Sequence, residues 1–158
     1  IGNKMKDAAE GNGEDTELIN WRDIKEQLPT KLIGMEQEEV GGETVGAFGF
    51  NISQAEATYR DGDKKVDVSI TDTGGLAGAM KAMTAWASLT IDREDSNGWE
   101  RTSTYKGNKI YEKYNKRSER GEFNAIIANR FVVTVNGRNV DSKDFRKILD
   151  KLDVEDLL

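Results

Sequence analysis

SQAEATYRDGDKKVDVSITDTGG, residues 53–75, is the stretch whose reading decides the fold. Ala55, Ala57 and Tyr59 alternate with Gln54, Glu56 and Thr58, and Val66, Val68 and Ile70 alternate with Asp67, Ser69 and Thr71. A period of two predicts half-buried strands. Asp61-Gly62 between them predicts a two-residue hairpin turn. That turn sets Tyr59 against Lys64, Ala57 against Val66 and Ala55 against Val68. The apolar faces then coincide, which an odd slip would destroy. Glu56 would face Asp67, a mild repulsion.

Upstream, Asn20 can cap a helix carrying Trp21, Ile24 and Leu28 on one side, and Pro29 ends it. The glycine-rich run 32–50 predicts two short extended pieces, near 34–39 and 44–50, with bends or a bulge at the glycines flanking Val45 and Phe48. Downstream, LAGAMKAMTAWASL (76–89) favours helix. It is apolar over more than half its circumference and needs cover on two sides. Its Met80, Met83 and Trp86 are core by the ordinary reading. They are also the candidate surface for a protein partner or an apolar small ligand, because Met and Trp enrich such surfaces. Residues 92–98 read as a loop. Four strands follow at 99–106, 109–116, 122–128 and 131–136, and Gly137 reads as the break after the last. A final helix opens at Asp141 or Ser142 and presents Phe145, Ile148, Leu149 and Leu152. The expected class is α+β: a twisted antiparallel sheet of about six strands, a hairpin plus a four-strand meander, with helices packed on it. Residues 1–17 read as a charged tether or lead-in, and 18–158 as a single domain.

The composition narrows the chemistry. The 158 residues include no Cys and no His. Disulfides, thiolate nucleophiles, Ser-His-Asp triads and the usual zinc sites therefore lack a residue type. A formal charge of −6 disfavours nucleic acid and anionic lipid as general partners. Missing residue types argue against an enzyme, apart from one built on carboxylates, of which there are 29. No spacing singles out a catalytic pair, and no cofactor motif is present.

Three local motifs invite a reaction. Asp72-Thr73-Gly74 after a strand looks like an aspartic protease loop, and Asp72-x-x-Gly75 like a GTPase loop. A GTPase needs a phosphate cradle with Lys-Ser or Lys-Thr, which GGETVGAFG lacks, and Asn108-Lys109 runs on into Ile110-Tyr111 rather than to a guanine-reading Asp. A protease loop would lead onward into sheet, not into a helical pattern. Asp72 or Thr73 reads instead as the strand end and cap, with Gly74-Gly75 as the turn. DREDSNGWE resembles a calcium loop, but an EF-hand register puts Arg93 first and Thr104 last, where a carboxylate is required. A different calcium site, on Asp92, Asp95 and Asn97, stays open. KYNKRSERG (113–121) clusters Lys113, Lys116, Arg117 and Arg120 near two tyrosines. It reads as a charged hairpin tip that discourages edge pairing, with RNA or phosphate as the alternative.

The run GAFGFNISQAEATYRDGDKKVDVSITDTGG (46–75) resembles exported bacterial proteins of unknown function, often lipid-anchored. The strand-rich second half followed by a helix is similar in layout to PsbP-like α/β/α sandwiches. The resemblance implies an accessory role in the periplasm or envelope, and supplies no catalytic residue. The chain begins at Ile1 rather than Met, so an upstream segment is expected to have been removed or not cloned; whether it held a signal or a membrane tether is left open. The function expected from these residues is a non-enzymatic exported binding domain. The alternative is a carboxylate-based hydrolase of cell-envelope polymers.

Overall fold

The computed structural model describes residues 17–47, 50–75 and 89–158. They form one antiparallel sheet of nine strands: β1 (Lys31–Leu32), β2 (Met35–Ala47), β3 (Phe50–Asp61), β4 (Lys64–Asp72), β5 (Asp92–Asp95), β6 (Gly98–Tyr105), β7 (Asn108–Asn115), β8 (Arg120–Ile127) and β9 (Phe131–Arg138). The order across the sheet is β1-β2-β3-β4-β9-β8-β7-β6-β5. Two meanders therefore meet at their last strands. β4 and β9 pair antiparallel in the middle, with Lys65 opposite Arg138 and Asp72 opposite Phe131.

This corrects the expected class. The described residues are largely β, with nine strands rather than about six. Its described helices are short: α1 (Trp21–Lys25), α2 (Asp144–Asp150) and a 3-10 turn at Val154–Leu157. The glycines of the 32–50 run do not split it into two pieces. β2 continues through Gly41, Gly42 and Gly46, each paired with a β3 residue. A Cβ on Gly42 would stand 2.5 Å from the Trp21 ring. Glycine there admits an approaching side chain instead of ending a strand. Residues 92–95 escape the alternation test because all four are exposed on the sheet's outermost strand, where charge protects an edge. Gly137 lies inside β9, opposite Val66 and Gly121, and does not break it. The expected helix over 76–89 falls, but for Leu89, outside the described residues.

Both helices cover one face. Ile24 and Leu28 from the α1 segment join Phe145, Ile148, Leu149 and Leu152 over Val66, Val68, Ile70, Phe123, Ala125, Val133 and Val135 in one buried cluster. Each large side chain so buried contributes roughly 1.5–3 kcal/mol, which decides where the amphipathic segments settle. Asn20 caps α1 as expected, whereas α2 starts later than expected, with Lys143 at its N-cap and no side-chain cap, so the Asp141 carboxylate closes the turn before it. The Asn20 side chain accepts from the Arg22 amide at 2.9 Å, and the Asp141 carboxylate from the Lys143 amide at 2.9 Å. No described helix is long and apolar enough to cross a membrane.

The β3–β4 hairpin forms two residues away from its expected register. Its turn is Gly62-Asp63, which sets Asp61 opposite Lys64, Tyr59 opposite Val66, Ala57 opposite Val68 and Ala55 opposite Ile70. An even slip leaves both faces intact, so alternation alone does not distinguish the two. The like-charge pair disappears: Glu56 meets Ser69, and Thr58 Oγ1 donates to Asp67 Oδ1 at 2.6 Å. Gly62 has φ +59°, as the first position of a type II′ turn requires. Gly62→Ala is expected to cost about 1 kcal/mol through that angle, with open space around the new methyl. Urea denaturation checks it, and an unchanged midpoint would show that the turn does not hold the register.

Candidate functional site

The sheet's second face carries the polar halves of the alternating strands. Register places its residues in rows that run across the strands, about 4.8 Å apart. One row reads Arg93, Glu100, Lys113, Glu122, Asn136, Asp67, Thr58, Glu39, each directly opposite the next. The row beside it, nearer the hairpin turns, reads Asn115, Arg120, Arg138, Lys65, Arg60. Apart from Glu39, Thr58 and Arg60, these residues floor a groove of about 870 Å³. A smaller hollow of about 400 Å³ extends it over β2–β4, sharing Asp67 and Asn136.

Most acids of the first row are engaged by neighbours. Glu100 pairs with Arg93 Nε at 2.9 Å and accepts from the Tyr111 hydroxyl at 2.5 Å. Glu122 accepts from Asn124 Nδ2 at 2.9 Å, and Asn124 Oδ1 in turn from Thr134 Oγ1 at 2.9 Å. Burial, then donation to Glu100, with the Glu122 charge nearby, push the Tyr111 phenol far above its ordinary value. Tyr111 is therefore a fixed donor here rather than a base. The floor is a prearranged lattice of hydrogen bonds.

The second row is different. Arg120 is directly opposite Arg138, Arg138 opposite Lys65, and Lys65 opposite Arg60. Like charges facing each other cost up to about 1 kcal/mol per pair. Arg60 is relieved by Glu38 at 2.7 Å and Lys65 by Asp67 at a longer 3.8 Å. Among the described residues no carboxylate reaches salt-bridge distance of Arg120 or Arg138.

The residues singled out from sequence distribute unevenly around this groove. Met80, Met83 and Trp86 lie outside the described residues. In the acidic 92–97 stretch Asp95 Oδ1 accepts from the Asn97 and Gly98 amides at 2.7 and 3.2 Å, closing its own turn. Among the described residues no three acidic side chains gather as metal ligands. Asp72, the aspartate of the protease-like motif, is fully buried on the other face. Arg130 grips it through Nε and Nη2 at 2.7 and 2.8 Å, and the Ile19 and Gly74 amides donate to it at 2.8 and 2.9 Å. Asp72 ends β4 as expected, and the helix it was expected to cap lies outside the described residues; its pairing with Arg130, which the sequence did not predict, makes it a structural latch. Of the basic hairpin cluster, Lys113, Arg120 and Ser118 line the groove, while Lys116 lies 5.7 Å from the Trp99 ring. Sequence reasoning missed Lys65 and Arg138, because only the β4–β9 and β8–β9 pairings bring them beside Arg120. Compared with protein-family models, with curated proteins and with solved structures, the chain matches none.

Proposed function

We propose that the protein is a non-enzymatic binding domain that takes a polar ligand in the groove of its open sheet face. The observation that supports this reading is the floor of that groove. Its acids and donors are bonded to one another across strands, which suits a rigid recognition surface. We place it in the periplasm or envelope on the resemblance of residues 46–75 alone.

Amide shift mapping on the full chain tests the groove. A panel of small neutral, anionic and cationic polar compounds is expected to perturb residues of β6–β9 and β4 that line it, and to leave α1 and α2 still. Perturbation confined to other surfaces would remove the groove from consideration.

One observation favours a second reading, a hydrolase of envelope polymers. Glu100 and Glu122 share the groove two strands apart, about 10 Å between backbones, near the separation of an acid and base that leave room for water. Release of soluble saccharides from cell-wall material, abolished in Glu122→Gln, would establish that reading in place of the first.

A further inference from the structure

We infer that the basic end of this groove, built by Arg120, Arg138 and Lys65, is a binding site for a phosphate group carried on a polar molecule. The inference rests on the groove being the binding surface. Three separate strands each contribute one cation to one wall, at consecutive places in one row. Such adjacency is unfavourable in the free protein, and a multiply charged anion reverses its sign. The chain as a whole is acidic, with formal charge −6, so this concentration of positive charge is local.

The geometry suits phosphate more than carboxylate. Three neighbouring strands span about 10 Å, and side chains as long as Arg and Lys converge easily over that width. Arginine binds a tetrahedral oxyanion through paired N–H donors, and a dianion has oxygens enough for two guanidiniums and an ammonium. A single carboxylate would leave two cations facing each other. Asn115, Ser118 and Asn136 line the same groove and add neutral hydrogen-bonding groups.

The row is also held stiff. Asn139, with φ +58°, donates its backbone amide to Glu119 O at 2.9 Å and its side-chain amide to Asp63 O at 2.8 Å. One residue thus ties the start of β8, the end of β9 and the β3–β4 turn together. The backbone positions from which the three cations extend are therefore held in place.

The first row limits what else fits. Glu122 and Asp67 stand immediately inside Arg120 and Lys65, and Glu100 lies beyond. A nucleic-acid backbone running the length of the groove would meet these carboxylates. A terminal phosphate whose hydroxyl-bearing body lies over them would not.

Inorganic phosphate, pyrophosphate and glucose 6-phosphate, titrated at low ionic strength into the full chain with amide shifts as readout, test the site. We expect shifts at Arg120, Arg138 and Lys65 and a tenfold or greater weakening in each of Arg120→Gln and Arg138→Gln. Arg138→Lys, which keeps the charge and loses the fork, should fall between. Lys147→Gln, exposed on α2 and away from the groove, should stay within about twofold. Circular dichroism confirms that these exposed-site variants fold. No binding of any phosphate probe at millimolar concentration, or equal binding by Arg138→Gln, overturns the phosphate site. Groove shifts with other polar compounds in that case would leave the binding reading standing. Glucuronate binding as tightly as glucose 6-phosphate overturns the choice of phosphate. Affinity for single-stranded oligonucleotides that rises with length would replace it with a polyanion track.

Discussion

Arg130→Met is expected to lower the unfolding free energy by about 3–5 kcal/mol, the range for breaking a buried ion pair from one side. The size follows from what remains. Asp72 has no exposed surface, and the Arg130 side chain is only 15% exposed. Removing the guanidinium leaves a buried carboxylate with two amide donors, from Ile19 and Gly74. It also frees Glu17 O, which Arg130 Nη2 meets at 2.9 Å, so of these two ties residues 17–19 keep only the Ile19–Asp72 bond. Urea denaturation gives the energy, and hydrogen exchange at the Ile19 amide reports the release. Asp72→Asn added to Arg130→Met should recover part of the loss, since a neutral amide is cheaper to bury than a charge. A loss below about 1 kcal/mol would place this pair with ordinary surface ion pairs and would undo its reading as a latch.

Gly121→Ala is the second large effect, and it comes from overpacking. Gly121 and Gly137 lie directly opposite each other on β8 and β9, and Phe145 of α2 sits in the recess they leave. A Cβ on Gly121 would stand 2.5 Å from Phe145 Cζ and 2.9 Å from Tyr114 Cδ1. Phe145 cannot retreat, because it stacks on Phe123 at 6.2 Å and meets Tyr114 edge-on at 6.3 Å. The expected cost is about 1–3 kcal/mol. Phe145→Ala, which empties the recess, is expected to cost more, about 3–5 kcal/mol. The decisive measurement is the coupling. In a Phe145→Leu background the Gly121→Ala penalty should shrink by 1 kcal/mol or more, as contacting residues do. Strict additivity would mean that the glycines serve the backbone and not the ring.

Much of this arrangement is legible before folding is considered. Four of the second meander's five strands, β6–β9, fall within one or two residues of their expected bounds, because turn residues close each of them. Lys106 and Gly107 at φ +48° and +80° form the tight turn their sequence predicts. The final helix buries Phe145, Ile148 and Leu149 as the i, i+3, i+4 spacing requires. What was misread had a common cause. Glycines in β2 and β9 look like breaks when only neighbours in sequence are considered, yet each of Gly42, Gly121 and Gly137 makes room for an aromatic ring from a distant segment. The charged edge strand β5 has no buried face and so carries no periodic signal.

By itself the sequence determined which segments alternate, where the chain turns and which side of each strand is apolar. These depend on residues within a few positions of one another, through backbone sterics and side-chain period. Only the tertiary structure decided which strands lie side by side and in which of several even registers. Lys65 meets Arg138 across 73 positions of sequence, and a slip of two would keep every apolar face buried while moving every charge to a new neighbour. Burial summed over whole faces selects the pairing, so the basic row of the groove exists only once the two meanders have joined.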